Sequence, residues 1–534
     1  MEKTLQMGKT SATGSFQLLI GVATSTIIMA VGAIILGRFL GADGYGLYGI
    51  VVIPATLINL FRDWGINSAI TKYVASLRVT NRTEEIHDVI VAGLIFEVAS
   101  GLALSFLSLA LASFIASTVF HRPESAVFIA IISVSIISGS LLAASQAVFI
   151  GFERWKLNSF TVICQAIVKT VIGPVLIFLG YSVLGAVIGY TVGFIAAGII
   201  GLATFYFILF RPLRKKATGN SSITKTLKEM LRYGVPLSIA SILGGILGQF
   251  YSFIVVPLTS NTLYGNYITA LNFTTLLTFL TIPIATVLFP AFAKLDPKKE
   301  HELVKTVYAA SIKYTSILLV PATMAMMALS GPMIGTLYGE KYVYGPFFLT
   351  IFVIGNLFTV FGSLSAGGLL TGLGQTRIPM TQSIITVAIG LPLGVILIGM
   401  FQITGLIVAS VIAGLPSMFW GLYWIWKHYE AKADFQSSAK ILAASAIAAV
   451  AAYLPTVFLN TANWIKLIIG LVIFLTVYVF GAPLIGAICQ DDITNLRSMF
   501  SSMGIVSKIM NLPLTAAEKA ASIRSGNKKT GEKP

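Results

Sequence analysis

The chain has 534 residues, of which 56% are hydrophobic and only 10% are charged, and its formal net charge is +16. A soluble globular domain carries about 25% charged residues, so this composition lacks the polar surface that a water-facing protein of this length needs. The apolar residues are spread along the chain, which indicates one large membrane-embedded helical bundle and argues against a series of soluble domains.

Apolar runs long enough to cross a bilayer recur along the chain as far as residue 488. A hydrocarbon core of about 30 Å requires roughly 20 apolar residues in a helix. The runs of this kind are 15–38, 45–61, 89–116, 125–150, 157–180, 183–209, 233–257, 264–293, 306–330, 345–371, 378–400, 404–426, 438–459 and 466–488. They predict an all-α polytopic membrane protein with about fourteen transmembrane helices, because barrel strands would alternate polar and apolar residues. The first run is longer than the core of a cleavable signal peptide, so we expect it to remain as a membrane helix.

Lysine and arginine residues are divided unequally between the two sides of this predicted topology. With the N-terminus in the cytoplasm, thirty of the 36 lie in cytoplasmic segments, four lie in outside loops, and Lys169 and Lys313 lie within helices. This asymmetry follows the positive-inside rule and predicts a multi-pass protein of the plasma membrane with both termini in the cytoplasm. The positive charge is spread over loops that meet the headgroups of membrane lipids, so a nucleic-acid partner is not expected.

Three short patterns recur at offsets of 219 to 221 residues, in equivalent places of the predicted topology. The pairs are Tyr45-Gly46-Leu47-Tyr48 with Tyr264-Gly265-Asn266-Tyr267, Gly151 with Gly372, and Gly185-Ala186-Val187-Ile188 with Gly405-Leu406-Ile407-Val408. They predict a repeating unit of six helices, and an even number of helices gives both copies the same orientation in the membrane. Two parallel six-helix bundles around a central cavity are typical of a transporter that works by alternating access.

The repeat and the charge runs predict the domain divisions. They are a first six-helix bundle at 1–210, a cytoplasmic linker at 211–232, a second bundle at 233–427, two additional transmembrane helices at 438–488, and a partly disordered cytoplasmic tail at 489–534.

Three segments of the first 160 residues resemble the polysaccharide-transport flippases. They read ILGRFLGADGYGLYGI at the end of the first helix, FRDWGINSAITKYVA after the second, and AVFIGFERWKLN after the fourth. This family belongs to the multidrug/oligosaccharidyl-lipid/polysaccharide exporter superfamily, and the resemblance covers about residues 10 to 430. It implies translocation of an oligosaccharide carried on a polyprenyl or dolichyl phosphate or pyrophosphate across the cytoplasmic membrane. It also implies alternation between inward-open and outward-open states, driven by a proton or sodium gradient, without a bound cofactor. Glycan assembly enzymes would be the accompanying partners.

Three ionisable side chains lie within predicted spans, where a charge costs at least about 2.5–3.5 kcal/mol and normally faces a cavity or a partner. Lys169 lies near the middle of its span and is a candidate ligand for the cargo phosphate; its alternative is a structural ion pair with Glu97. Glu97 is the candidate ion-coupling carboxylate; its alternative is extension of the side chain to the inner interface. Lys313 is a weaker substrate-binding candidate, since its long side chain can reach the cytoplasmic interface from about two turns into its helix.

Polar residues in later spans and at the outer end of the first helix complete the candidate site. Gln249, Asn272 and Asn356 are candidate hydrogen-bonding partners of sugar hydroxyls, with bonding between helices as the commoner use of such residues. Arg38 and Asp43 flank the outer end of the first helix and are candidate gating residues, with anchoring at the interface as the alternative.

Other functional classes are disfavoured by what the chain lacks. There is no GxxxxGK[ST] phosphate loop and no room in the loops for a catalytic domain, so we do not expect an enzyme. Cys164 and Cys489 have no metal-ligand spacing, so no metal site is predicted. Two alternatives stay open: an ion-coupled multidrug-type exporter of the same fold, and a membrane glycosyltransferase. The scarcity of embedded carboxylates argues against the first, and the lack of a large external loop argues against the second.

Overall fold

The computed structural model of the chain describes residues 2–80, 82–214, 223–293, 295, 299–500 and 511–522. Throughout these ranges the regular elements are helices, and no strand occurs among them. The chain divides into two compact units, Met1–Gly265 and Asn266–Pro534. This boundary lies beyond the predicted linker at 211–232, because helix α8 packs with α1, α2 and α3 of the first unit.

The first unit contains eight helices and the start of a ninth. They are α1 (Glu2–Asn59), α2 (Ile66–Val79), α3 (Thr83–Phe114), α4 (Ala126–Gly151), α5 (Trp155–Leu176), α6 (Ser182–Phe205), α7 (Arg211–Arg214), α8 (Ile223–Val255) and α9 (Asn261–Ala293). Non-helical backbone at Gly41 (φ 67°, ψ 179°) divides α1, and a π-helical turn with Gly180 at φ 96° separates α5 from α6. Glycine occupies both breaks because it adopts positive φ without a steric penalty.

Glycine residues on α6 bring that helix into direct contact with α5. A Cβ atom at Gly189 would lie 2.5 Å from the Cα of Gly173, and one at Gly193 would lie 2.9 Å from the Cβ of Lys169. Small residues at helical spacing allow backbones to approach closely in membranes, where van der Waals packing replaces the hydrophobic effect between helices. This contact fixes the position of Lys169 against α6.

The two copies of the Tyr-Gly motif meet each other within the first unit. A side chain at Gly46 would overlap the carbonyl oxygen of Asn261, and one at Gly265 would overlap the carbonyl oxygen of Ala42. Gly46 and Gly265 are equivalent at the repeat offset of 219, and so are Ala42 and Asn261. A reciprocal contact of this kind is the signature of local twofold symmetry, and it relates the end of α1 to the start of α9.

The second unit contains the remainder of α9 and eight further named helices. They are α10 (His301–Ala328), α11 (Ser330–Leu337), α12 (Gly345–Val353), α13 (Ser363–Gly372), α14 (Arg377–Tyr429), α15 (Phe435–Phe458), α16 (Asn463–Ile485) and α17 (Gln490–Phe500). Ile354–Phe361 is a 3₁₀-helix that joins α12 to α13 with a bend of 55° at Gly362. Gln402 (φ 50°, ψ −123°) divides α14.

The tail packs on the second unit over the part that the structure describes. Residues 511–522 are helical, and Leu514, Ala517 and Ala521 join α15 and α16 in one buried apolar cluster. Disorder is predicted for the end of the tail, 522–534, and all of it except Ser522 lies outside the described residues, as do residues 215–222 of the predicted linker.

Among the described residues, nine helices are long and apolar enough to cross a membrane, or ten when the bent pair around Gly362 is counted as one span. Three of the nine, Ile20–Asn59, Trp155–Leu213 and Arg377–Tyr429, contain the breaks described above and are 40, 59 and 53 residues long. A straight helix of 20 residues already spans about 30 Å, so each of these has the length of two crossings. The predicted all-α polytopic membrane fold is confirmed, and the count of fourteen spans stays a prediction.

Candidate functional site

Lys169 lies on α5 within the long apolar segment, with its side chain partly buried. Its ammonium lies 4.5 Å from the ring centroid of Tyr190 on α6. No carboxylate lies within ion-pair distance of Lys169 in the described ranges, and the alternative pair with Glu97 is not observed. A cation–π contact contributes about 0.5–2 kcal/mol and supplies no hydrogen-bond acceptor, so this ammonium keeps the capacity to bind an anion.

Tyr190 belongs to a row of buried aromatic rings that also includes Tyr48 and Tyr45 of α1. Its ring centroid lies 6.4 Å from that of Tyr48 in an edge-to-face arrangement, and Tyr48 stacks at 6.1 Å on Tyr45. Sequence reasoning missed Tyr190, although its place beside the glycine stripe of α6 could have indicated a side chain that faces α5.

Glu97 lies on α3 and is fully buried. Asn67 Nδ2 donates a hydrogen bond of 2.8 Å to Glu97 Oε1, and Arg62 Nε lies 3.7 Å from Glu97 Oε2. The alternative of extension to the inner interface is therefore not observed. Arg62 and Asn67 were not among the predicted site residues, although both belong to the FRDWGINSAITKYVA segment that carries the family resemblance.

Lys313 on α10 is paired with the C-terminal tail. Its Nζ atom lies 2.6 Å from Asp492 Oδ2, and the same oxygen accepts a hydrogen bond of 2.8 Å from the backbone N–H of Cys489. Asp492 is nearly buried, at 5% exposure. The ion pair neutralises this lysine within the second unit, which weakens its candidacy as a substrate ligand.

Two of the three polar candidates bond to neighbouring helices. Thr56 donates a hydrogen bond of 2.9 Å to Gln249 Oε1 in the first unit, and Asn272 Nδ2 donates one of 3.1 Å to the hydroxyl of Tyr338 in the second. Asn356, by contrast, lines a cavity of about 590 Å³ in the second unit.

The break in α1 at Gly41 has loop contacts close to it in the first unit. Asp43 is exposed and accepts a hydrogen bond of 3.3 Å from the Thr262 hydroxyl, and Arg38 is also exposed.

Arg122 makes several hydrogen bonds in the first unit. Its Nε donates to Asn261 Oδ1 (2.8 Å), and its two terminal nitrogens donate to the carbonyl oxygens of Phe120, Val256 and Thr259 (2.9, 2.9 and 2.5 Å). Burial lowers the pKa of the Arg122 guanidinium, whereas the carboxylates of Glu124 and Asp43 raise it. Sequence reasoning counted Arg122 only as an outside charge and missed these hydrogen bonds.

The predicted residues therefore fall into separate sets of contacts. Lys169, Glu97, Gln249, Arg38 and Asp43 belong to the first unit. Lys313, Asn272 and Asn356 belong to the second. Over the described ranges, no group of three or more His, Cys, Asp or Glu residues could hold a metal ion.

The sequence is similar to two proteins that are named as flippases. The chain is 26% identical over 227 residues to the probable low-salt glycan biosynthesis flippase Agl15 of Haloferax volcanii, a match that covers 41% of this chain and only 48% of that relative. It is 20% identical over 481 residues to the lipid II flippase MurJ of Bacillus subtilis, covering 82% of this chain and 87% of that protein.

The structure is similar to solved transporters. Lipid II flippase MurJ in an inward closed conformation aligns with a TM-score of 0.69 and 17% identity over 86% of this chain and 97% of the other. A multidrug resistance MATE family transporter of the MOP superfamily, in an inward-facing conformation, aligns with a TM-score of 0.62 and 14% identity over 77% of this chain and 98% of the other. The chain thus has the fold that these membrane transporters share.

The family model described as polysaccharide biosynthesis protein matches residues 11–296, more than half of the chain. The matched range includes the three segments on which the resemblance rests and the contacts of Lys169 and Glu97. The chain belongs to the polysaccharide biosynthesis protein family.

Proposed function

We propose that this protein is a flippase that moves an oligosaccharide linked to a polyprenyl or dolichyl phosphate or pyrophosphate across the plasma membrane by alternating access. The observation that carries the proposal is the Lys169 ammonium, which lies within an apolar span over the Tyr190 ring and has no carboxylate within ion-pair distance in the described ranges. An embedded cation without an acidic partner is costly unless it serves a ligand. A phosphate or pyrophosphate supplies the charge-assisted hydrogen bonds that this ammonium lacks.

The contacts of Glu97 favour an anionic cargo over a cationic one. A transporter of cationic drugs would benefit from a free carboxylate in its binding region, whereas Glu97 is engaged by Arg62 and Asn67. Glu97 remains our candidate for coupling to a proton or sodium gradient, because a change in its charge would alter its attraction to Arg62. The family description and the flippase names of the two relatives also favour a lipid-linked glycan over a drug as the cargo.

The cargo would be assembled on the cytoplasmic face, where the positive-inside rule places most basic loops and both termini. Glycan assembly enzymes at that face would then supply it. No reaction is assigned to the chain itself.

The test is glycolipid flipping in sealed proteoliposomes that contain the full chain. We expect the wild type to accelerate flipping, Lys169→Met to abolish the acceleration because it removes the charge at similar volume, and Lys169→Arg to retain part of it. Lys341→Ala is the matched control, since Lys341 is an exposed loop residue. Equal thermal stability of the four proteins would show that the loss is not one of folding.

Two results would contradict the proposal. If Lys169→Met flips as fast as the wild type, the lysine does not bind the cargo phosphate. If no phosphate-linked glycan is flipped while cationic dyes are exported, the protein belongs with the multidrug-type transporters that share its fold.

A further inference from the structure

The second unit contains a cavity whose lining combines apolar and polar residues. Its volume is about 590 Å³, within the range of roughly 300–1,000 Å³ that small-molecule sites occupy. The lining comes from α9, from the end of α12, the 3₁₀-helix Ile354–Phe361 and the start of α13, and from both segments of α14. The residues that line it belong to the second unit, whereas the Lys169 and Glu97 contacts belong to the first.

The polar side chains that line this cavity are all uncharged. They include Thr274, Asn356, Ser363, Gln382, Thr386 and Ser410, and none of the described lining residues is Asp, Glu, Lys, Arg or His. An ion in a low-dielectric environment needs a compensating charge. The lining therefore favours a neutral ligand with many hydrogen-bonding groups over a phosphate, a carboxylate or a metal cation.

The hydrogen bonds within the lining leave acceptor groups for a ligand. The Ser410 hydroxyl donates to the carbonyl oxygen of Leu406 at 2.8 Å, and the Thr386 hydroxyl donates to the Ser417 hydroxyl oxygen at 2.7 Å. A hydroxyl that donates once still has a free lone pair. Gln382 Nε2 donates to the carbonyl oxygen of Ser417 at 3.0 Å, which fixes this amide in position.

Asn356 is the polar group with the most unused capacity. Its half-buried side chain makes no hydrogen bond to any described residue, so two donors and one acceptor remain available. It lies in the 3₁₀-helix that ends at Gly362, where φ is 96°. A helix interruption at membrane depth is tolerated where the backbone is buried in protein or lines a cavity, and it is typical of transporter binding sites.

Two aromatic rings give the cavity an apolar side. Phe352 and Phe358 line it together with the polar groups. A pyranose ring presents hydroxyl groups around its edge and C–H groups on its faces, so it matches a site with dispersed hydrogen-bonding groups and aromatic walls.

We infer that this cavity binds an uncharged pyranose unit of the glycan. The inference rests on the proposed flippase function and adds a selectivity to it: the sugar that occupies the cavity carries no carboxylate and no other charge. Asn356 and Gln382 orient the sugar hydroxyls, and Thr386 and Ser410 accept hydrogen bonds from them.

The test measures binding of two phosphate-free probes to the purified full chain in lipid nanodiscs, by calorimetry. The probes are a short-chain alkyl glucoside and the matched alkyl glucuronide, which differs by one carboxylate. We expect the glucoside to bind and the glucuronide to bind at least about tenfold more weakly, because the carboxylate would enter the uncharged lining without a partner.

Two variants and one control locate the binding. Asn356→Leu and Thr386→Val should each weaken glucoside binding about tenfold or more, the effect of losing roughly one hydrogen bond at a desolvated site. Thr381→Val is the matched control, since Thr381 lies on the same helix outside the cavity and bonds to the carbonyl oxygen of Arg377. If Asn356→Leu does not fold, Thr386→Val, which preserves side-chain volume, still decides the question.

The outcomes separate this inference from the proposed function. Flipping that depends on Lys169, with glucoside binding unaffected by both variants or with equal binding of the glucuronide, would overturn the sugar site and leave the flippase proposal intact. Glucoside binding lost in both variants, with no flipping of any phosphate-linked glycan, would support the sugar site and overturn the flippase proposal.

Discussion

At the scale of single residues, the contacts of Glu97 depend on two opposing effects. Burial of a carboxylate is costly, and attraction to a nearby guanidinium offsets that cost only in part. Arg62 is 13% exposed and Glu97 is not exposed at all, at an N–O distance of 3.7 Å. The hydrogen bond of 2.8 Å from Asn67 supplies the closer contact. Arg62 and Asn67 therefore act together to keep this carboxylate in the membrane interior.

We expect Arg62→Ala to lower the free energy of unfolding by about 3 kcal/mol, because the Glu97 carboxylate would remain buried without its counter-ion. Arg78→Ala is the matched control: Arg78 pairs with Glu153 at the shorter distance of 2.8 Å, but both side chains are more than 40% exposed. An exposed pair contributes only about 0–1 kcal/mol. Chemical denaturation in detergent micelles measures both losses.

A second substitution separates charge from packing at the same place. Glu97→Gln in the Arg62→Ala background removes the unpaired charge, so it should recover part of the lost stability. Equal losses for Arg62→Ala and Arg78→Ala, or no recovery in the double variant, would show that the pair does not govern stability.

The embedded charges were predictable from the sequence, but their partners were not. Lys169, Glu97 and Lys313 stand out in apolar runs, which is a local property. Arg62 lies 35 residues before Glu97 in a segment that charge counting assigned to a cytoplasmic loop, and Asp492 lies 179 residues after Lys313 in the tail. Pairs so distant along the chain are fixed by the packing of helices, which periodicity does not determine.

At the scale of helices, the sequence predicts some of the breaks in the long segments but not all of them. Gly41, Gly180 and Gln402 interrupt helices at the junctions between predicted spans, where hydropathy falls. The bend at Gly362 was not predicted, because the run 345–371 is apolar on both sides of it. Hydropathy therefore detects a break at the membrane surface and misses one within a span. The bend that hydropathy misses lies directly before Ser363, which lines the inferred sugar site.

The reciprocal contact of Gly46 and Gly265 makes a prediction about helix packing. Gly46→Ala would place a methyl group against the backbone carbonyl of Asn261, which cannot move like a side chain. Overpacking of this kind costs about 1–3 kcal/mol, so we expect a clear loss of thermal stability.

Gly244→Ala is the matched control for this substitution. Gly244 lies within α8, and no atom lies within 4 Å of the Cβ position there. Alanine should be neutral or stabilise the helix by up to about 1 kcal/mol, since it has the higher helix propensity. A Gly46→Ala protein as stable as Gly244→Ala would contradict the close crossing of α1 and the start of α9.

At the scale of the whole molecule, the distribution of basic residues predicts the orientation. Thirty of the 36 lysine and arginine residues lie on one side of the predicted topology and four on the other. This difference biases insertion because basic residues close to a span are retained in the cytoplasm. The number of spans determines the side on which the C-terminus lies, since an even number returns it to the side of the N-terminus.

Single cysteines report this orientation once Cys164 and Cys489 are replaced. In intact cells, we expect a membrane-impermeant maleimide to label Lys341→Cys, and to label Lys432→Cys only after permeabilisation. Both positions are exposed, so the membrane and not burial decides the result. The reverse pattern would mean that the positive-inside rule fails for this chain.

The parity of the span count is tested by the two ends of the chain. With fourteen spans, Lys3→Cys and Lys529→Cys should both be protected in intact cells and both become labelled after permeabilisation. An odd number would leave one of them labelled from outside, and a re-entrant bend at Gly362 is the place in the described ranges where one span could be lost. Labelling at the C-terminal position alone would therefore show an odd number of spans, the result expected if the helix pair α12 and α13 is a loop that returns to its own side.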